Sequence, residues 1–254
     1  MKGRLFLVPT PLDHGCAEQT PLDDVLPLGT IKKAAAIACW VSENAKSTRA
    51  FLKRVDALVP LAQPIQTQRI TELPREVHKK GDHAGAARFD ARPLLAPALQ
   101  GQDVGLISEA GMPAVADPGS SVVRAAHQLG IEVLPLTGPV SLLLALAASG
   151  LNGQNFAFTG YLPQDASART TQIQQISRAV QQSGQTRIVI ETPYRNQVLL
   201  EALLSGLDGQ LRLCVASGLT LPDADGARSA SVAEWRQARW PVTPKAPAVF
   251  LIGR

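Results

Sequence analysis

The sequence is poor in the residues that several common chemistries require. It has three cysteines, Cys16, Cys39 and Cys214, an odd number with no C-x-x-C pair. That count argues against a disulfide framework and a thiolate zinc site, and it suits a reducing cytoplasm. Four histidines, in no H-E-x-x-H or clustered spacing, give no basis for metal catalysis, so no metal is expected. Aromatic residues make up 4%, which leaves few rings for stacking single-stranded bases. The phosphate-binding glycine patterns G-x-G-x-x-G and G-x-x-x-x-G-K-[ST] are missing, as is the G-x-S-x-G elbow, so ordinary Rossmann, P-loop and α/β-hydrolase chemistry lose support. Long hydrophobic runs are lacking too. The uncharged stretch between Glu132 and Asp165 is broken by Thr137-Gly138-Pro139 and by Asn152 to Asn155, well short of the roughly 20 apolar residues of a membrane span. The opening MKGRLFLVPTPLD has too short an apolar segment for a signal peptide.

What is present is a globular composition. Hydrophobic residues are 45% of 254 and charged residues 18%, enough to bury one large core or two modest ones. The excess of 25 Lys and Arg over 21 Asp and Glu tilts the surface slightly towards anionic partners. Short aliphatic runs alternate with helical periodicity, the pattern of an α/β protein with a mostly parallel sheet. The runs predict strands at Arg4 to Val8, Ala38 to Val41, Val104 to Ser108, Ile131 to Leu136, Phe156 to Gly160, Arg187 to Glu191, Leu211 to Ala216 and Ala248 to Ile252. Apolar spacing of three and four predicts helices over Val25 to Ile37, Ala45 to Val55, Gly119 to Leu129, Pro139 to Ser149, Ala168 to Gln182 and Gln197 to Leu207. The polar cluster after Leu151 marks a boundary between two α/β domains, residues 1–152 and 153–254. Leu73 to Gln102 is irregular and reads as a helical excursion or a mobile flap.

Three strand-end turns carry the candidate chemistry: Val8-Pro9-Thr10-Pro11-Leu12, the long loop Ile107 to Gly119, and Leu136 to Ser141. All three would sit at the carboxyl ends of parallel strands, where open α/β sheets place their ligand crevice. Each alone is also what Gly and Pro produce in a plain turn, and spacing does not name the ligand.

The residues from Ile107 to Leu151, ISEAGMPAVADPGSSVVRAAHQLGIEVLPLTGPVSLLLALAASGL, resemble the signature of the tetrapyrrole-methylase superfamily of S-adenosylmethionine (SAM) methyltransferases. They are most similar to the branch with the bacterial 16S ribosomal RNA ribose-2′-O-methyltransferases, with its S-D-A-G-T-P-x-I-S-D-P-G and P-x-P-G-P-x-A. The similarity extends to VPTPL, to FTGYLP at Phe158 to Pro163, and to IETPYRN at Ile190 to Asn196, where the family has E-S-P-H-R. It implies two α/β domains with SAM in the cleft between them, a homodimer, and ribosomal RNA as the methyl acceptor. The donor positions it implies are Pro9 and Pro11; Gly111, Met112 and Val115; Gly138, Pro139, Val140 and Ser141; and, in the second domain, Tyr161, Ala216 and Ala248.

The chain departs from that branch at LDHGCAEQ, where the branch has I-G-N-L-x-D, and at Glu43-Asn44-Ala45-Lys46-Ser47-Thr48, where it has E-D-T-R-x-T. These departures keep open methylation of a tetrapyrrole or other small molecule, and a SAM-binding protein without catalysis. Glu43 and Glu191 are the expected substrate-side carboxylates and Glu109 a loop organiser, although a carboxylate there also caps helices. Arg195, four residues after Glu191, reads equally as a substrate-phosphate ligand or as that Glu's ion-pair partner. Lys46, Arg49 and Lys53 fall on one helix face, with Arg54 adjacent, and form the stripe expected to meet RNA.

Overall fold

The computed structural model of the chain describes residues 1–74, 76, 89–222, 226–238, 240 and 247–254. Of the irregular stretch 73–102, positions 75 and 77–88 lie outside the described residues. The chain divides into two compact units, Met1–Gly15 with Gln19–Val140, and Cys16–Glu18 with Ser141–Arg254.

The first unit is built on five parallel strands, β1 (Leu5–Val8), β2 (Cys39–Ser42), β3 (Arg69–Glu72), β4 (Val104–Ile107) and β5 (Val133–Pro135), in the order β3-β2-β4-β1-β5. Its helices are α1 (Leu22–Val25), α2 (Leu28–Ala36), α3 (Ala45–Asp56), α4 (Ala96–Leu99) and α5 (Ser120–Gln128). Strand residues alternate between two apolar layers, as a sheet covered on both faces demands. Leu5, Val41, Val104 and Leu106 join Val122 and Ala126 of α5, while Phe6, Val8 and Trp40 join Ile31 of α2 and Phe51 and Leu52 of α3. Gly105 has a packing reason for its place in β4: a Cβ there would overlap the Trp40 ring. Trp40 is buried and donates its Nε1–H to Gln68 Oε1 at 3.0 Å. Helix α3 starts sharply because the Asn44 side-chain oxygen accepts from the Lys46 and Ser47 amides at 2.9 and 3.4 Å.

The second unit has the strands β6 (Phe156–Tyr161), β7 (Thr186–Glu191), β8 (Arg212–Ser217), β9 (Gly226–Ser231) and β10 (Ala248–Gly253), ordered β6-β7-β10-β8-β9. Only β6 and β7 run parallel; β10 is antiparallel to both its neighbours, and β9 to β8. The expectation of a mostly parallel sheet therefore holds in the first unit alone. Helices α7 (Ala166–Ser183), α8 (Asn196–Gly206) and α9 (Val232–Ala238) belong to this unit, and α7 and α8 cover one face of the sheet through Ile173, Leu199 and Leu203. Helix α6 (Ser141–Ser149) covers the other with Leu142, Ala145 and Leu146. Because α6 packs on β8 and β10, the unit boundary falls after Val140, ahead of the position expected from the polar cluster.

Among the described residues no helix is long and apolar enough to cross a membrane. The three cysteines are free, and burial pushes the Cys214 thiol up to about 11. Replacing Gly105 by Ala should destabilise the protein by about 1–3 kcal/mol, since the added methyl meets a tryptophan ring that has nowhere to move. Urea unfolding followed by tryptophan fluorescence measures this, and an unchanged midpoint would contradict the packing described.

Candidate functional site

At the carboxyl edge of the first sheet the three turns come together. The β1 turn and the β4 loop are tied by a reciprocal pair of backbone hydrogen bonds, Thr10 N–H to Gly111 C=O and Gly111 N–H to Thr10 C=O, both 3.0 Å. Gly111 has φ +74, a left-handed conformation that favours glycine. The turn after β5 closes on the same place: a Cβ on Gly138 would overlap the Pro9 ring, and Thr30 Oγ1 of α2 holds the Thr137 carbonyl at 2.7 Å. Pro9, Gly111, Gly138 and Pro139 are thus neighbours.

Further along the β4 loop, Ala114 and Ala116 have φ of 65 and 64, costly for residues with a Cβ. Met112 and Val115 point away from that junction. They line a groove of ≈ 690 Å³ with Pro113 and Ala114, Leu7 of β1 and Val123 of α5. Pro11 lines a different, smaller cavity of ≈ 370 Å³ on the α3 side. The donor positions expected in the first unit therefore fall in three places along one loop system.

The carboxylates next to these turns make specific contacts. Glu43, just after β2, accepts the Glu109 amide on Oε2 at 3.2 Å, so Glu43 pins the β4 loop. The Glu109 carboxylate instead lies 3.4 Å from His14 Nε2, a histidine the sequence reading left without a role. Asp117, in the same loop, is pushed up to about 7, first by burial and then by the negative charges of Glu43 and Glu109. Among the described residues no three His, Cys, Asp or Glu side chains are grouped to hold a metal ion.

Arg54 does not belong to the stripe's free charge. It forms a bidentate pair with buried Asp13 at 3.1 and 3.0 Å and donates to the Thr20 carbonyl at 2.6 Å, locking the β1 turn against α3. Lys46, Arg49 and Lys53 are exposed, and no ion pair among the described residues involves them.

In the second unit, the expected residues line one end of the sheet. Tyr161 pairs with Ile190, and Ala248 lies between Glu191 and Ser217. Glu191 accepts the Thr192 amide at 2.8 Å and the Arg195 guanidinium at 3.3 Å, so of the two readings of Arg195 the structure has the ion pair. Ala216 and Ala248 do not share a face: Ala216 packs with α6, Ala248 with α7 and α8, which leaves main-chain groups at the strand ends as their common feature.

The sequence pattern of the tetrapyrrole (corrin/porphyrin) methylases matches residues 28–229. The chain belongs to the tetrapyrrole methylase family. It is 34% identical over 224 residues to a ribosomal RNA small subunit methyltransferase I of Pseudomonas aeruginosa, covering 86% of this chain and 67% of that one. A protein of the same name from Mesorhizobium japonicum is 34% identical over 219 residues, covering 85% and 63%. The chain thus spans about two thirds of the length of these relatives. Among solved structures, a conserved hypothetical protein from Aeropyrum pernix K1 superposes with a TM-score of 0.60 at 18% identity, covering 100% of this chain and 85% of that one. Uroporphyrin III C-methyl transferase from Thermus thermophilus does so at 0.54 and 18%, covering 99% and 98%. At that identity these two establish the tetrapyrrole-methylase fold.

The residues present fit a SAM-like donor in one respect the structure makes plain. Gly111 and Gly138 keep the turn backbones bare, and the Met112 to Val115 segment offers an apolar wall on a groove within the usual 300–1,000 Å³ of small-molecule sites.

The raised Asp117 predicts a pH effect. Between its ordinary 3.8 and about 7 the folded chain binds this proton and the unfolded chain does not, so its contribution to stability falls as pH rises through that window. Asp117→Asn should match the wild type near about pH 4 and exceed it by up to about 4 kcal/mol near about pH 8. Denaturant titrations at both pH values test this, and a pH-independent difference would remove Asp117 as the cause.

Proposed function

We propose that the chain is a SAM-dependent methyltransferase acting on ribosomal RNA, with ribose 2′-oxygen as the acceptor. The observation that carries this reading is the convergence of the three turns at the Thr10–Gly111 junction, in a chain whose relatives bear the name ribosomal RNA small subunit methyltransferase I. Those names also weigh against a tetrapyrrole substrate and against a binder without catalysis. The donor positions are Pro9, Pro11, Gly111, Met112, Val115 and Gly138 to Ser141 in the turns, with Tyr161, Ala216 and Ala248 at the end of the second sheet.

When bound, SAM supplies an electrophilic methyl group on a cationic sulfur. The chain's contribution is position and environment. Transfer to an alkoxide neutralises charge, so apolar surface such as Met112 and Val115 beside the reacting atoms favours it. Fixed loops remove orientational freedom, and the tie between Thr10 and Gly111 provides that rigidity. Loss of the hydroxyl proton needs an acceptor, and Glu43 and Glu191 are the carboxylates proposed for it. Arg195 orients Glu191 through its ion pair.

The exposed stripe Lys46, Arg49 and Lys53 supports a phosphate-bearing substrate. Self-association is part of the proposal: Leu143, Leu144, Phe156 and Phe158 of the second unit are exposed apolar side chains suited to a homodimer, and a cytoplasmic location follows from the substrate.

Calorimetric titration with SAM and with its demethylated product should show saturable one-site binding; no binding by folded protein would end the methyltransferase reading. Joint charge reversal of Lys46, Arg49 and Lys53 should lower methyl transfer to ribosomal small subunits by about tenfold or more while leaving SAM affinity unchanged, and should flatten the salt dependence. Undiminished transfer would show that the stripe does not meet RNA.

A further inference from the structure

The smaller cavity, ≈ 370 Å³, is not used by the donor positions except at Pro11. It opens between the β1 turn, the start of α3 and the end of β4. Its composition is mixed. Pro11, Ala50 and Phe51 contribute apolar surface, while His14, Lys46 and Asn44 supply donors and Glu109 an acceptor. Asn44 has its oxygen committed to capping α3, which leaves its amide NH₂ as the donor group. The hydroxyl of Ser108, also in the lining, is buried without a hydrogen-bond partner among the described residues.

Apart from Lys46 at its exposed side, the charge in this cavity is already matched. Asp13 and Arg54 satisfy one another bidentately, and Glu109 has His14 beside it. An isolated phosphate would find no unopposed cluster of cations there. A flat, neutral heterocycle fits better, because it offers apolar faces to proline and phenylalanine and a rim of donors and acceptors to the polar groups. A nucleobase has that chemistry, and pockets of this kind hold bases that enzymes extrude from their stack. Lys46 stands at this cavity, and Arg49 and Lys53 continue from it along the exposed side of α3. They are placed to hold the phosphates on the strand that carries the extruded base, fixing register while the cavity reads the base.

We propose that this cavity receives one extruded nucleobase of the RNA substrate, with the Glu109 carboxylate accepting from a ring or amino N–H of that base and the α3 lysines and arginine holding its flanking phosphates. The proposal rests on the reading of the chain as an RNA methyltransferase.

The test fills the cavity from its exposed side. Ala50 is a surface residue of α3, so Ala50→Trp places a ring in the space without entering the core. Labelled methyl transfer from SAM to ribosomal small subunits, taken from cells that lack this gene, should fall by about tenfold or more, with the calorimetric SAM affinity within about twofold of wild type. Glu109→Gln is the second variant; it should raise the KM for small subunits by a similar factor and leave SAM affinity unchanged, which holds the test open if Ala50→Trp does not fold. Ultraviolet cross-linking of a short single-stranded RNA carrying 4-thiouridine should label the peptides spanning 10–19 or 44–54. Full methyl transfer by folded Ala50→Trp, or by Glu109→Gln, would overturn the proposal. Loss of SAM binding in either variant would also overturn it, by giving the cavity to the donor. A wild type that binds SAM and methylates no RNA would overturn the underlying reading, and it is recognisable because the wild type itself is then inactive.

Discussion

Where parallel strands end, the chain must turn away with backbone amides and carbonyls that have no further strand to pair with. In the first unit these groups are satisfied between the departing loops themselves. The reciprocal Thr10–Gly111 bonds join two of them, and the bare backbone of Gly138 closes against Pro9 to bring in the third. A side chain at Gly138 would hold the loops apart, and one at Gly111 would strain a left-handed backbone. The arrangement of Pro9, Gly111 and Pro139, and the separation of the groove lined by Met112 from the cavity lined by Pro11, both depend on this junction.

Electrostatics then specialise the edge. One acidic residue, Glu43, bonds to the loop backbone, a second, Glu109, meets a histidine, and burial together with the proximity of both keeps a proton on Asp117 well above the ordinary carboxyl range. The second unit solves the same problem differently, by pairing Glu191 with Arg195 one helical turn on. Glu43, Glu109 and Glu191 thus each have a partner that fixes where they point.

Much of the fold is legible in the sequence because β1, β2, β4, β7, β8 and β10 are short apolar runs. Those strands are buried on both faces, so their hydrophobicity is nearly continuous. Strand β3, RITE, is an edge strand with mostly exposed side chains, and β9, GARSAS, is small and polar; neither carries a hydrophobic signal. The single helix expected over Val25 to Ile37 is two helices, because Pro27 cannot continue α1 and instead precedes α2. Strand direction in the second unit is a matter of partner choice and is invisible to periodicity. In the site, the turns were readable from Gly and Pro and from their resemblance to a family. The Glu109–His14 contact was not, since only folding brings residues so distant in sequence together, and neither was the capture of Arg54 by Asp13, which removes one charge from an apparently basic helix.

Ala114 and Ala116 occupy a conformation that glycine would enter at little cost. Alanine there gives up some native-state stability, yet its methyl group also narrows the range of shapes open to the loop in any less ordered state. The loop that borders the larger groove therefore carries two strained positions, and exchanging either alanine for glycine would relax the native backbone while loosening the unfolded chain.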